Sequence, residues 1–280
     1  MKDILKLIRV KHWIKNFLIF IPLLCSKSFD YNSIIMTIIG YFAFSLSCSF
    51  IYIINDIRDI DNDRNDARKK NRPLPSGRIS IKNAVIISII VLCISIFLNL
   101  YANRSLYSLS LIVLLIYLVI NIMYSFGLKN VAIIDILLLS FGFVLRIYYG
   151  ACLIDVEVSN WLFLTILSFS LFMGIGKRKK ELVKGKNVRK VLVKYTENFL
   201  NGYQNIFVAL TFMFYSLWAM EQNKYIIYTV VFIFFIFMRY SLLLDSGDEG
   251  DPTTIIYKDK TLFAAVGLYG IVFSLLFILF

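Results

Sequence analysis

The chain has 280 residues, of which 59% are hydrophobic and 17% charged, and its mean hydropathy is +0.74. A soluble domain is roughly 45–50% apolar and about 25% charged, so this composition excludes an ordinary water-soluble enzyme or binding module. The net charge of +12 would suit nucleic acid, but the positions of the charges argue against such a partner.

Nine apolar segments follow one another along the chain. Most approach the ~20 residues that a helix needs to cross a bilayer, and they lack the alternation of membrane β-strands. Pro22 makes the first segment the weakest of the nine. We therefore predict one all-α domain over residues 1–280, a polytopic transmembrane bundle. The segments cover residues 17–29, 33–54, 83–101, 105–124, 131–151, 160–176, 204–220, 225–244 and 261–280.

The basic residues orient this predicted bundle. With the N-terminus in the cytoplasm, 26 of the 30 lysines and arginines fall on the cytoplasmic side, as the positive-inside rule requires. The two long loops, about 55–82 and 177–203, are therefore predicted to face the cytoplasm across the inner (plasma) membrane. This bias explains the net charge without any nucleic-acid partner.

An acidic motif, NDIRDIDND, follows directly on the second segment. If the helix continues at 100° per residue, Asn55, Asp56, Asp59 and Asp63 share one face, whereas Asp61 points away. Amide and carboxylate oxygens suit Mg²⁺, which is usually completed by water and substrate phosphates. A solvated charged loop is the ordinary alternative, but carboxylates this close repel unless a cation lies between them.

A basic run follows the acids and places phosphate-binding cations beside the predicted metal ligands. Pro73, Pro75 and Gly77 predict a turn that could fold this run back over the acidic motif. The run comprises Arg64, Arg68, Lys69, Lys70, Arg72 and Arg78.

Two charged residues lie inside the fifth apolar segment, where a charge is costly and indicates function. Asp135 is about one turn from the predicted cytoplasmic end, and we expect it within reach of a metal on the acidic motif. Arg146 lies roughly 16 Å further along the helix, where it either lines a cavity or extends to the far interface.

Two further basic stretches could contact phosphates. Lys15 and Asn16 would bind a substrate phosphate or anchor the first segment at the lipid headgroups. The run Lys177–Lys180 is interpreted first as the positive boundary of the sixth segment, with phosphate binding as a minority alternative.

These motifs resemble the UbiA superfamily of membrane prenyltransferases. The superfamily pattern NDxxDxxxD matches Asn55, Asp56, Asp59 and Asp63. Four further stretches, in this order, resemble the decaprenyl-phosphate phosphoribosyltransferases within it. They are RVKHWIKNFLIFIPLL, YSFGLKNVAIIDILLLSFGFVLRIYYGA, LFMGIGKRKKEL and DPTTIIYKDKTL.

The chain departs from the wider superfamily at a second motif. Prenyl-diphosphate users typically carry a DxxxD pattern, whereas the matching region here has Lys129 and the single Asp135. This departure fits the phosphoribosyl branch, whose pattern resembles LKxxxxxD.

The resemblance implies a UbiA-like bundle of about nine spans that transfers 5-phosphoribose from phosphoribosyl diphosphate to a polyprenyl phosphate with Mg²⁺. Asp59, Asp63 and Asp135 would be catalytic, and the NDxxDxxxD residues would bind the metal. Membrane lipids would surround the bundle, and nothing in the sequence excludes an oligomer. Substrate phosphates would be held by Lys15, Asn16, Arg72, Tyr124, Lys129 and Arg146.

Two other functions stay open from the sequence. A prenyltransferase would move an isoprenoid from its diphosphate to an aromatic or lipophilic acceptor over nearly the same metal site. A lipid-phosphate transporter would also carry intramembrane charges, although the chain lacks the paired Gly/Pro-broken spans typical of alternating access.

Overall fold

The computed structural model describes residues 2–66, 69–103, 108–183, 190–245 and 258–279. Within them the chain forms α-helices and 3₁₀ segments and no β-strand, which confirms the predicted all-α class. Several predicted features lie outside the described residues. They are Arg68, part of the second long loop (184–189) and the start of the last motif (251–257).

Eleven α-helices follow in chain order through the described residues, joined by four 3₁₀ segments. The 3₁₀ segments are Val10–Phe20, Leu128–Asn130, Lys190–Lys194 and Ile226–Thr229. The helices are α1 Lys2–Leu7, α2 Ile21–Cys25, α3 Tyr31–Arg58, α4 Ile60–Asn65, α5 Ile81–Asn103, α6 Leu109–Phe126, α7 Ile134–Leu153, α8 Asn160–Val183, α9 Glu197–Gln222, α10 Val230–Asp245 and α11 Lys260–Leu279.

Seven helices in the described part of the chain are long and apolar enough to cross a membrane: α3, α5, α6, α7, α8, α10 with its preceding turn, and α11. The predicted count of nine is therefore approximate. The 26-residue α9 is not among the seven, and the first predicted span is not a single α-helix.

The first predicted span, residues 17–29, instead begins within the 3₁₀ segment Val10–Phe20 and continues through α2. Because a 3₁₀ helix rises about 2.0 Å per residue, its 11 residues extend about 22 Å. The five residues of α2 add about 7.5 Å. The two segments together therefore extend about 30 Å, although they are not among the helices long and apolar enough to cross a membrane.

The chain groups into two compact units. The first comprises residues 1–128 and 145–158, and the second comprises residues 129–144 and 159–280. The N-terminal part of α7 therefore belongs to the second unit and its C-terminal part to the first. The single domain over residues 1–280 stays a prediction.

Small residues bring the backbones of the first unit close together. The hydroxyls of Ser47 in α3 and Ser95 in α5 lie 2.7 Å apart, and Ser95 also donates to the carbonyl of Ala43 at 2.6 Å. Such small and hydroxyl-bearing side chains are typical of helix contacts in lipid, where apolar burial alone drives little association.

Aromatic packing dominates the second unit. The rings of Phe172 in α8 and Phe237 in α10 have centroids 5.1 Å apart, and Leu262 of α11 completes their buried cluster. Asp259 begins α11 by accepting the N–H of Leu262 at 2.7 Å, and it also binds Arg239 of α10 at 2.7 Å. These hydrogen bonds lower the pKa of the Asp259 carboxyl below its usual value.

Gly150 packs directly against the backbone of Ile19. A Cβ there would overlap the carbonyl oxygen of Ile19 and lie 2.9 Å from its carbonyl carbon. We expect Gly150→Ala to destabilise the protein by about 1–3 kcal/mol, because backbone atoms cannot move aside as a side chain can. The readout is the thermal unfolding midpoint in detergent.

The matched control is Gly202→Ala in α9, where an added Cβ meets no atom within 4 Å. Alanine should leave that midpoint unchanged or raise it, since it favours helix over glycine by about 1 kcal/mol. Equal midpoints for the two variants would contradict the close approach at Gly150.

Candidate active site

The acidic motif spans the end of α3. That helix ends at Arg58, Asp59 has φ −94° and ψ 14°, and α4 begins at Ile60. The prediction of one unbroken helix through Asp63 is therefore wrong at Asp59. The N–H of Asp59 nevertheless donates to Asn55 at 2.9 Å, and that of Asp63 to Asp59 at 2.8 Å. Because these bonds keep the four-residue spacing, the motif still occupies successive turns.

The carboxylates of the motif differ in burial. Asp56 and Asp63 are 3% and 2% exposed, whereas Asn55 and Asp59 are half-buried. Asp61 has a side chain that is 86% exposed and lies 3.2 Å from Arg64. The structure thus separates Asp61 from the other acids, as the helical geometry predicts.

Three cations neutralise the two buried carboxylates. Nη1 of Arg72 lies 3.2 Å from Oδ1 of Asp56 and 2.7 Å from Oδ2 of Asp63. Nζ of Lys69 lies 3.1 Å from Oδ1 of Asp63, and Nη2 of Arg9 donates to Oδ1 of Asp56. A buried carboxylate without a counter-ion is strongly disfavoured. These contacts therefore explain how Asp56 and Asp63 can be buried.

The turn after Arg72 brings the basic run back to the acids. The N–H of Ser76 donates to the carbonyl of Arg72 at 3.0 Å, and Gly77 has a φ of +75°, which glycine adopts without strain. Leu74 is 1% exposed and packs with Leu7 and Ile60. The predicted fold-back is confirmed by these contacts.

Arg9 is a member of this cluster that the sequence reasoning missed. Its backbone is left-handed (φ 52°, ψ 48°) between α1 and the 3₁₀ segment, and its guanidinium lies 5.0 Å from the ring of Tyr52. The contact with Asp56 spans 47 residues of sequence. Within RVKHWIKN, Arg9 resembles its basic neighbours, so no local signal separates it from them.

The donor chemistry of the acidic motif fits Mg²⁺. Among the described residues, no three His, Cys, Asp or Glu side chains converge as a ready-made metal cluster. Mg²⁺ does not need one, because it commonly takes one or two carboxylates and fills its shell with water and substrate oxygens. Asp56 and Asp63 already share one cation, the guanidinium of Arg72.

Asn16 and Arg146, both predicted phosphate ligands, are brought together in the first unit. Nε of Arg146 donates to Oδ1 of Asn16 at 2.7 Å, and Asn16 donates to Ser45 at 2.9 Å. The guanidinium also lies 5.4 Å and 5.3 Å from the rings of Phe44 and Tyr117. Arg146 is only 5% exposed, so the alternative in which it extends to the far interface is wrong.

Asp135 lies in the second unit and is fully buried. Its Oδ2 accepts from Nε of Arg178 at 2.6 Å, and its Oδ1 accepts from the hydroxyl of Tyr195 at 2.5 Å. Arg178 is also buried and reaches Glu181 at 2.6 Å. Arg178 was missed as an individual residue because it stands within the basic run Lys177–Lys180.

Tyr195 completes this group. Its hydroxyl accepts the N–H of Ile133 at 2.6 Å while donating to Asp135. Burial, assisted by the hydrogen bond to Asp135, raises the pKa of Tyr195 to about 12, so the hydroxyl keeps its proton near neutral pH. Both oxygens of Asp135 are therefore engaged by donors.

The remaining predicted phosphate ligands are half-buried. Lys15 lies in the 3₁₀ segment and Tyr124 near the end of α6 in the first unit, whereas Lys129 lies in the turn Leu128–Asn130. The roles assigned to these three residues stay predictions.

Known membrane prenyltransferases and related proteins are similar to this chain in sequence and in fold. The model of the UbiA prenyltransferase family matches residues 18–278. A decaprenyl-phosphate phosphoribosyltransferase from Corynebacterium glutamicum is 31% identical over 92% of this chain and 81% of its own. A digeranylgeranylglyceryl phosphate synthase from Methanococcus aeolicus is 32% identical over 77% and 74%. A solved UbiA homolog from Archaeoglobus fulgidus, bound to GPP and Mg²⁺, has a TM-score of 0.73 at 18% identity over 99% and 100%.

The buried pair of Asp135 and Arg178 generates a prediction about stability. We expect Arg178→Gln to cost about 3–5 kcal/mol, because it leaves the carboxylate of Asp135 buried without its cation. Thermal unfolding in detergent measures the effect, and Arg178→Gln/Asp135→Asn should recover part of the loss.

The control is Arg64→Gln, which breaks the exposed pair with Asp61. That change should cost about 0–1 kcal/mol, as solvent-exposed pairs generally do. If both variants unfold at the same temperature, the buried pair does not stabilise the second unit.

Proposed function

The chain belongs to the UbiA prenyltransferase family, and we propose that it transfers 5-phosphoribose from phosphoribosyl diphosphate to a polyprenyl phosphate. The observation that carries this proposal is the 31% identity, over 92% of the chain, to a relative named decaprenyl-phosphate phosphoribosyltransferase. The cluster at the end of α3 supports it, because carboxylates and phosphate-binding cations stand side by side.

In the proposed reaction, the bond between C1 of the ribose and the diphosphate oxygen breaks. An oxygen of the acceptor phosphate forms the new bond to C1, and diphosphate leaves. Mg²⁺ bound by Asn55, Asp56, Asp59 and Asp63 would supply positive charge where the leaving group becomes negative.

The side chains of the protein bind and orient the two phosphate-bearing substrates. Arg72 would donate charge-assisted hydrogen bonds to the diphosphate, as arginine does to phosphate oxygens generally. The acceptor is already an anion near neutral pH, so the reaction needs no general base. Asp135 is proposed to act indirectly, by holding the guanidinium of Arg178. Further phosphate contacts are assigned to Lys15, Asn16, Tyr124, Lys129 and Arg146.

The membrane setting follows from the lipid acceptor. Seven of the described helices are apolar enough to cross a bilayer, and the prenyl tail would lie along such helices. We propose that the acidic motif faces the cytoplasm in the plasma membrane, because the distribution of basic residues favours that orientation. A soluble sugar diphosphate would reach the motif from that side.

Prenyl transfer is the second candidate function. The 32% identity to a digeranylgeranylglyceryl phosphate synthase favours it, although that match covers 77% of the chain. A UbiA homolog of the same fold has been solved with GPP and Mg²⁺. The two functions differ in the electrophile, which is a sugar carbon in one and an isoprenoid carbon in the other.

A transfer assay separates the candidates. Purified protein with Mg²⁺, radiolabelled phosphoribosyl diphosphate and a polyprenyl phosphate should move label into the organic phase, and chelation of the metal should stop it. Parallel reactions contain a labelled prenyl diphosphate and an aromatic or glycerol-phosphate acceptor. Activity only in those parallel reactions would replace phosphoribosyl transfer with prenyl transfer.

Substitutions in the acidic motif test its assigned geometry. Asp59→Ala should lower the transfer rate by about 100-fold or more, because stabilisation of the leaving group depends on the metal site. Asp61→Ala should retain the rate within about twofold, since that side chain is 86% exposed and separate from the motif's other acids. Equal losses in initial rate would mean that the assigned ligand set is wrong.

A further inference from the structure

A single nitrogen occupies the position between the two buried carboxylates of the motif. Nη1 of Arg72 lies 3.2 Å from Oδ1 of Asp56 and 2.7 Å from Oδ2 of Asp63. A divalent ion held by Asp56 and Asp63 would draw on the two carboxylates that this nitrogen contacts. Arg72 and such an ion therefore compete directly for these ligands.

Arg9 contacts one of these two carboxylates, Asp56, from a different part of the chain. Its guanidinium donates to Oδ1 of Asp56, the oxygen that also accepts from Arg72. The side chains of Arg9 and Arg72 are 19% and 33% exposed, whereas those of Asp56 and Asp63 are 5% and 2% exposed. The cations are thus the more accessible members of the cluster, and the carboxylates lie beneath them.

The two buried carboxylates are neutralised without a metal. Asp56 and Asp63 contribute two negative charges, and the cations that contact them, Arg9, Lys69 and Arg72, contribute three positive ones. A divalent ion arriving alone would add two further positive charges to this group. A diphosphate arriving with it would offset that charge and offer oxygens to the displaced guanidinium groups, which bind phosphate well.

We propose that Arg9 and Arg72 are exchangeable counter-ions that reserve the acidic motif for a divalent metal arriving together with a diphosphate. With no diphosphate bound, they neutralise Asp56 and Asp63 and oppose metal binding. When the metal takes the carboxylates, both guanidinium groups pass to the diphosphate. This assigns Arg9 as a specificity-determining residue, and it rests on the proposed function only in that the ligand is a diphosphate.

The experiment measures Mn²⁺ binding by electron paramagnetic resonance on the full chain in detergent, with no substrate present. Arg72→Gln and Arg9→Gln should each bind Mn²⁺ at least 10-fold more tightly than the unaltered protein, because a competing cation has been removed. Arg239→Gln is the matched control, since it removes the same charge from an arginine that pairs with Asp259 instead and has a similarly exposed side chain.

A second measurement follows retention of radiolabelled inorganic diphosphate in the presence of Mn²⁺. Both arginine variants should retain at least 10-fold less diphosphate than the unaltered protein or Arg239→Gln. This reduced retention, combined with tighter Mn²⁺ binding, is the pattern expected of an exchangeable counter-ion. If an arginine had only a structural role, its substitution would weaken the binding of both Mn²⁺ and diphosphate.

Several outcomes would overturn the proposal. Mn²⁺ affinity in Arg9→Gln and Arg72→Gln could be unchanged or weaker, or Arg239→Gln could tighten Mn²⁺ binding equally through net charge alone. If Arg72→Gln fails to fold, as judged by its thermal midpoint, Arg9→Gln decides by itself. Neither measurement involves the sugar or the lipid acceptor, so their outcome is separate from that of the transfer assay.

Discussion

The burial of two carboxylates, one at the end of α3 and one in α4, is the constraint on which the arrangement around the acidic motif depends. Asp56 and Asp63 are almost inaccessible, and charges removed from water must be matched by partners close by. The turn after Arg72 and the left-handed backbone of Arg9 both serve this requirement, since each brings a guanidinium to the same oxygen of Asp56. Segments that are far apart in the chain are thereby held at one place.

Other buried charges in the structure are also matched by nearby partners, but of different kinds. In the second unit, Asp135 is compensated by Arg178 and by the protonated hydroxyl of Tyr195, and both of its oxygens are engaged. Arg146 is held by the amide oxygen of Asn16 and by the faces of two aromatic rings. Asp135 and Arg146 therefore each have specific partners, and these contacts join separate segments of the unit to which each residue belongs.

These arrangements bear on how a membrane protein could handle anionic substrates. A cluster that holds its carboxylates beneath more accessible cations presents positive charge to an incoming phosphate while keeping oxygen ligands in reserve for a metal. Asp135, in contrast, is committed to an internal cation in this structure. That difference agrees with the sequence, in which the NDxxDxxxD motif is complete and the second aspartate-rich motif is not.

Composition and local spacing by themselves determined the membrane-helix class, the acidic motif and the separation of Asp61. These features depend on the preference of apolar side chains for lipid over water and on the period of the α-helix. Both can be evaluated from residues that are close together in the chain. The tertiary structure alone decided that α3 breaks at Asp59, that Arg9 reaches Asp56 across 47 residues, and that Asn16 meets Arg146 across 130. It also determined which residue of the basic run Lys177–Lys180 binds Asp135, namely Arg178. Such choices could not be predicted because many cations are chemically able to neutralise a buried acid, and only the packing of the helices determines which one lies within hydrogen-bonding distance.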